Sequence, residues 1–206
     1  MNHDSTSSKI PKTRRGRETR DKLLQAAEIE FGERGYHDAA ISGITQRAGV
    51  ALGTFYVYFD SKEEIFRALV SYMGHLTRHW ISERIGESPD RLTAEQRGVQ
   101  AFMEFVRQHS NLYQIVSEAQ FVAEDAFREY YTVFADAYRE NLEQAGATGQ
   151  IRGGDYEVWA WALIGMNVFL GMRFAAWEDS RSSDEIAAAV VDLIGTGILP
   201  PAVQEK

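Results

Sequence analysis

The 206-residue sequence has no cysteine, which excludes disulfides, thiolate metal sites and cysteine nucleophiles at once. It has only four prolines, and three of them (Pro11, Pro200 and Pro201) lie near the ends. Helices can therefore run through the middle without interruption. Strand-like alternation of useful length is absent, and so is any internal repeat. Catalytic signatures are missing too: there is no Ser-His-Asp pattern, no phosphate-binding loop and no Gly-rich dinucleotide fingerprint. Gly153-Gly154 reads as a turn, and the Glu63/Glu64 pair sits where a helix begins. No enzyme activity and no cofactor are expected. An apolar leader core is lacking at the N-terminus. The longest charge-free apolar run, residues 158–172, counts fifteen residues, short of the ~20 that a membrane span needs. Asn167 lies within that run and Arg173 just beyond it, so it reads as a buried helix of a soluble, cytoplasmic protein with no membrane partner.

Charge is unevenly spread. The chain carries a net charge of −8 with 44% hydrophobic residues, enough for a core. Residues 1–78 hold 12 Lys/Arg against 10 Asp/Glu, net +2, whereas residues 79–206 hold 10 against 20, net −10. Within the first part, Lys9, Lys12, Arg14, Arg15, Arg17, Arg20 and Lys22 face only Glu18 and Asp21. A basic arm on an acidic body suits a protein whose one end meets a polyanion; a solvated tail is the plainer alternative.

Helical spacing dominates the rest. Leu23, Leu24, Ala27 and Phe31 repeat on one face and Gly35 supplies a stop. Short helices fit residues 41–48 and 52–59, with Gly49 between them, which is the helix-turn-helix layout. Ser61 and Glu64 are spaced as a capping box for a long helix reaching residue 85. Further helices are predicted over 94–109 (Thr93 and Gln96 as a cap), 112–118, 124–144, 155–177 and 183–197 (Ser182 and Glu185 as a cap). The fold class is all-α with about nine helices. The predicted division is a disordered tail over 1–12, a helix-turn-helix domain over 13–61, a helical ligand-binding and dimerisation domain over 62–200, and a tail over 201–206.

One stretch carries the functional signal: Ile44 with Ala48-Gly49-Val50, then Gly53-Thr54-Phe55-Tyr56, Tyr58-Phe59 and Ser61-Lys62-Glu63-Glu64-Ile65, preceded by Ala26-Ala27, Phe31 and Gly35-Tyr36. Over residues 17–70 it resembles the DNA-binding domain of the tetracycline-repressor (TetR)/AcrR-type family of bacterial transcriptional regulators. Gly49 permits the turn, and Ile44, Val50, Phe55 and Phe59 form the small core that sets the helix angle. The resemblance implies backbone contacts with double-stranded operator DNA from Gly53, Thr54, Tyr56, Tyr58 and Lys62, base contacts from Ser42 and Thr54, and groove contacts from Arg14, Arg15 and Arg17. A cation at Lys62, in the first turn of a helix, opposes the helix dipole, a cost that a phosphate partner explains. The chain departs from its relatives at Ala39 and Ala40, where a Ser/Thr cap is usual, so that Asp38 is the cap candidate, and at Ser42, where an arginine is common. Gly43 and Leu52 offer little hydrogen bonding, which leaves readout to a few hydroxyls and apolar contact with thymine methyls.

Beyond residue 80 the resemblance is architectural. Aromatics are abundant there and small residues lie among them, the composition of an apolar ligand cavity. The ligand-binding candidates are Phe102, Phe105, Tyr113, Phe121, Phe127, Tyr131, Phe134, Trp159, Asn167, Phe169 and Arg173, with Glu118 and Gln120 as further polar groups. Ordinary core packing is the alternative for each aromatic. Met172, Ala176, Ile186, Val190, Leu193 and Ile194 are the homodimer-interface candidates, on the last two helices. His75, His79 and Glu83 recur every four residues, but a solvated face explains them better than a metal. The expected function is a homodimeric repressor released from a palindromic operator by a hydrophobic small molecule. An activator or a corepressor-dependent regulator is the alternative within the fold, and a non-DNA-binding adaptor or an enzyme the remote one.

Overall fold

A computed structural model describes residues 9, 11–178 and 180–196. Most of the expected N-terminal tail, the Pro200-Pro201 stop and residues 201–206 lie outside the described residues. Nine α-helices and no strand occur among the described residues: α1 Arg14–Asp38, α2 Ile41–Ala48, α3 Leu52–Tyr58, α4 Lys62–Ile85, α5 Arg91–Gln108, α6 Leu112–Val122, α7 Glu124–Ala147, α8 Tyr156–Gly171 and α9 Ser183–Thr196. A π-helical turn, Met172–Trp177, continues α8.

The caps explain where the helices start. Thr13 accepts from Gly16 N–H and opens α1 earlier than the apolar pattern suggests. Ser61 accepts from Glu64 N–H, as expected, while the Glu64 carboxylate reaches back to Asp60 N–H. At α5 the expected Thr93 cap is replaced by Asp90, which accepts from both the N–H and the hydroxyl of Thr93 and starts the helix at Arg91. Those two bonds hold the Asp90 carboxyl below its ordinary pKa. Ser182 and Glu185 exchange reciprocal bonds ahead of α9, as their spacing predicts. Asp38 does not cap α2; it ends α1, and Ala40 stands at the cap position with no side-chain bond.

The chain groups into two compact units, residues 1–74 with 111–130 and residues 75–110 with 131–206. The division falls within α4 rather than at residue 61, and α6 joins the first unit because it packs on α1. Tyr36 N–H donates to Glu118 at 2.7 Å, and a Cβ at Gly32 would lie 2.0 Å from the Asn111 side chain. The first core is built from Leu23, Leu24, Phe31, Ile44, Phe55, Phe59, Ile65, Phe66 and Leu69, all fully buried. Phe66 meets Phe31 and Tyr36 edge-on at 5.0 and 4.9 Å.

In the second unit α5 packs against α8, the π turn and α9. Its core holds Val99, Phe102, Met103, Phe105, Val106, Ala160, Ile164, Ile186, Ala187 and Val190. One polar cluster is buried with it: Arg91 and the Tyr138 hydroxyl both bond Glu95. Burial and the adjacent carboxylate hold the Tyr138 pKa well above its ordinary value. Tyr156 to Trp177 forms a 22-residue helix, long and apolar enough by length and composition to cross a membrane, unlike the fifteen-residue run that the sequence suggests. Only one stripe of it is buried, Ala160, Ile164 and Gly171. Val158, Trp161 and Phe169 on another face are exposed, as is Trp177 in the π turn.

Candidate DNA-binding surface

The turn between α2 and α3 is made by Gly49 in the left-handed region (φ 67°, ψ 34°), where a side chain would be strained. Its N–H and that of Val50 return to Gln46 and Thr45 carbonyls, closing α2 as a left-handed cap does. Ile44, Phe55 and Phe59 are buried beneath, and the buried Thr45 hydroxyl bonds the Ser42 carbonyl at 3.1 Å. What remains outward is Ser42, Gln46 and Arg47 on α2, the last paired with Glu30 and Glu33, and Leu52, Gly53, Tyr56 and Val57 on α3. Thr54 and Tyr58 are half-buried. Gln46 and Val57 were not legible as surface residues from the motif, because nothing in the spacing separates them from their neighbours; both are exposed.

Arg14, Arg15 and Arg17 are exposed in the first turn of α1 and not on a loose arm. Arg14 pairs with Glu18 at 2.8 Å, and Arg17 donates to the Lys12 carbonyl. No acidic residue stands in that turn, so the helix dipole is uncompensated there. Lys9 reaches the Tyr56 carbonyl at 3.3 Å and Asp60 at 2.5 Å.

Lys62 has partners within the chain. Its ammonium donates to the carbonyls of Tyr36, His37 and Ala39 at 2.7, 3.1 and 3.0 Å, and lies 4.5 Å from the Tyr36 ring centroid. Three donors meet three acceptors at the end of α1, where helix carbonyls lack partners. Those carbonyls offset the cost of a cation in the first turn of α4. Lys62→Met is therefore expected to lower the stability of the protein by about 2 kcal/mol, the usual worth of hydrogen bonds to a charged group. Urea unfolding measures it; unchanged stability with uniformly weaker DNA binding would restore a phosphate role.

α2 is fixed to α1 by a buried carboxylate. Glu30, 2% exposed, accepts from Arg47 at 2.7 Å and pairs with Arg34 at 3.2 Å; Arg47 also bonds Glu33. The Glu30 bond leads the causes that raise the Arg47 pKa. Gly43 lets that carboxylate in: a Cβ there would lie 2.2 Å from Glu30 Oε1. Arg67 likewise bonds Glu63 and Asp125.

The eleven effector candidates are divided between the two units. Tyr113, Phe121 and Phe127 belong to the first unit, and Phe121 is 86% exposed. Glu118 is engaged by Tyr36 N–H and is not a free pocket group, and Gln120 is exposed. In the second unit Phe102 and Phe105 are core, with Phe105 stacked on His109 at 4.3 Å. Phe134 is half-buried, and burial raises the Tyr131 pKa. Trp159 packs edge-on to Tyr156 under Arg152, Arg173 pairs with Glu178 at 2.8 Å, and Phe169 is 66% exposed. Asn167 is the polar group that fits best. It continues the inward stripe of α8; its Nδ2 donates to the Leu163 carbonyl at 3.0 Å, and its Oδ1 is buried without a partner.

The dimer candidates also divide. Ile186 and Val190 are buried within the chain's own second unit, where α9 packs on α5. Leu193 is exposed, while Met172, Ala176 and Ile194 are half-buried. His79 faces Glu83 at 3.3 Å and His75 contacts Arg78, all near the surface. No group of three His, Asp or Glu among the described residues is placed to hold a metal.

Residues 23–69 match the family described as bacterial regulatory proteins, tetR family. The chain is 31% identical over 191 residues to the HTH-type transcriptional regulator YdgC of Bacillus subtilis, covering 90% of this chain and 95% of that protein. It is 31% identical over 107 residues to the HTH-type transcriptional activator FasR of Mycolicibacterium smegmatis, covering 52% and 49% of the two chains. Among solved structures, FadR of Bacillus subtilis in complex with stearoyl-CoA superposes with a TM-score of 0.74 at 22% identity, covering 87% of this chain and 99% of that one. AibR in complex with isovaleryl coenzyme A and operator DNA does so with a TM-score of 0.67 at 18% identity, covering 85% and 97%. At those identities the structures speak for the fold, and the full-length YdgC match speaks for the family. The chain belongs to the tetR family of bacterial regulatory proteins and is a DNA-binding transcriptional regulator.

Proposed function

We propose that the protein is a cytoplasmic homodimeric repressor that docks two copies of α3 in successive major grooves of a palindromic operator and lets go when a hydrophobic effector binds the second unit. The observation that carries the DNA half is the outward face of α3, held clear of its core by the Gly49 turn, with Arg14, Arg15 and Arg17 exposed in the same unit. Tyr56, Tyr58, Thr54 and Gly53 are the backbone contacts in this reading, Ser42 and Gln46 the polar base contacts, and Lys62 shapes the unit from behind.

The effector half rests on Asn167. A buried acceptor with no partner costs about 1–3 kcal/mol, which a ligand carrying an N–H or O–H donor would remove. Among the structural relatives, FadR holds stearoyl-CoA and AibR isovaleryl coenzyme A. An acyl-coenzyme A offers an apolar chain with amide donors behind it, the donor chemistry that the Asn167 Oδ1 lacks. Effector and operator are then linked: whatever factor the effector takes from operator affinity, the operator takes from effector affinity.

Footprinting on the DNA upstream of its own gene tests the DNA half. The expected result is a two-fold symmetric site with half-sites about one helical turn, ~34 Å, or a multiple apart, and an affinity that falls steeply with added salt as counterions are released. Binding indifferent to salt, or a footprint without symmetry, would overturn the reading. A relative named as an activator shares half of the chain, so a promoter–reporter assay with and without the protein fixes the sign of regulation.

A further inference from the structure

We propose that Leu52 and Val57, on the two flanks of the outward face of α3, select thymine 5-methyl groups in the operator half-site, an inference that rests on the DNA-binding reading above. The outward positions of α3 are 52, 53, 56 and 57, and they carry a leucine, a glycine, a tyrosine and a valine. No charged or carboxamide side chain stands among them, although those are the groups that pair with guanine and adenine edges. Leu52 is 51% and Val57 62% exposed, on a seven-residue helix whose other apolar side chain, Phe55, is fully buried. Two branched aliphatic groups kept in water on the helix that meets DNA need an apolar counterpart.

The major groove offers one. The rest of its floor is hydrogen-bond donors, acceptors and small ring C–H edges, and the thymine methyl is its one alkyl group. Gly53 lies between the two side chains in sequence with no atom within 4 Å of where its Cβ would be, so the backbone there can come close to the bases. Leu52 and Val57 are five positions apart, roughly 7.5 Å of helix rise and about 140° of turn, so they flank the outward face on either side of Gly53 and Tyr56. The half-site is thus expected to carry two thymine methyls at different base-pair steps. Ser42 and Gln46, exposed on α2, supply the hydrogen bonds that α3 lacks.

The test uses the full-length protein and an operator enriched from random duplex DNA. Each thymine is replaced in turn by deoxyuridine, which deletes the methyl and nothing else. At two positions per half-site the affinity is expected to fall about 3- to 4-fold, and on the order of 10-fold when both half-sites are changed, as burial of one methyl implies. Val57→Ala, at an exposed position that folding does not need, should weaken binding to the thymine operator and cost nothing further on the matching deoxyuridine operator. Affinity unchanged at every deoxyuridine, or a Val57→Ala loss of the same size on both operators, overturns the proposal while DNA binding itself stands. Failure to enrich any sequence overturns the DNA-binding reading and this proposal with it.

Discussion

Gly43→Ala is expected to destabilise the protein by roughly 3 kcal/mol, the scale of breaking a buried ion pair, and to abolish operator binding at temperatures where the parent still binds. A single methyl has this effect because of what it meets. The added Cβ would sit 2.2 Å from Glu30 Oε1 and 2.6 Å from its Cδ. A carboxylate on a flexible arm can usually step aside, but this one is 2% exposed and bonded to Arg47 and Arg34. Moving it leaves a buried charge and parts α2 from α1, and α2 carries the turn that aims α3. Helix propensity alone works the other way, since alanine is better than glycine in a helix by about 1 kcal/mol. The two effects separate in a cycle with Glu30→Ala, where the clash is gone. In that background Gly43→Ala should be neutral or stabilising, a coupling large enough to lie outside the additivity of independent sites. Equal losses in both backgrounds, read from urea midpoints, would mean that Gly43 matters for some reason other than Glu30.

The same cluster shows what the sequence can and cannot disclose. Helix positions follow from periodicity and caps, which are local: Ser61 and Ser182 act where their spacing puts them, and α2 and α4 begin and end within a residue of expectation. Cap competition is harder to foresee. Asp90 and Thr93 are both good cap residues, and Asp90 holds two bonds where Thr93 would make one. Partners distant in sequence are harder still. The dipole argument for Lys62 correctly demands an acceptor, but the acceptors are carbonyls 23 to 26 residues upstream, set in place only once α1 breaks at Gly35. Gly43 reads as a residue that offers DNA little, when its use is to admit Glu30. For the site, the motif exposes the DNA-binding helix because one contiguous stretch contains it. The effector candidates are drawn from four helices, and aromatic content alone cannot tell Phe102, which is core, from Phe121, which is 86% exposed. On α9, periodicity finds the apolar stripe and cannot say whether it meets the chain's own α5 or a second copy.

That last ambiguity yields the largest expected effect. On the homodimer reading proposed above, Trp161→Glu combined with Phe169→Glu is expected to turn the dimer into monomers and to reduce operator affinity by about 1,000-fold, because the second half-site is no longer bound at the high effective concentration that linkage provides. Both side chains lie on the outward face of α8, eight residues apart on a stripe with Val158, and neither is buried in the protomer. A helix apolar on two faces but buried on one has a second partner to find, and in a symmetric dimer each substitution acts twice. Each Trp or Phe that the partner covers is worth about 1.5–3 kcal/mol, and a glutamate in its place adds a desolvated charge. Folding should be spared, since the replaced groups are exposed already. Ile186→Ala is the control: that side chain is buried beside α5, so truncating it should lower stability by about 2–5 kcal/mol and leave the mass of the folded species dimeric. Light scattering after size exclusion gives the mass, circular dichroism the helix content and fluorescence anisotropy the operator affinity. A double variant that keeps the dimer mass sinks the assignment of this face to a second copy. A variant that loses helix along with mass means that the outward aromatics hold the protomer together instead, and the interface lies elsewhere.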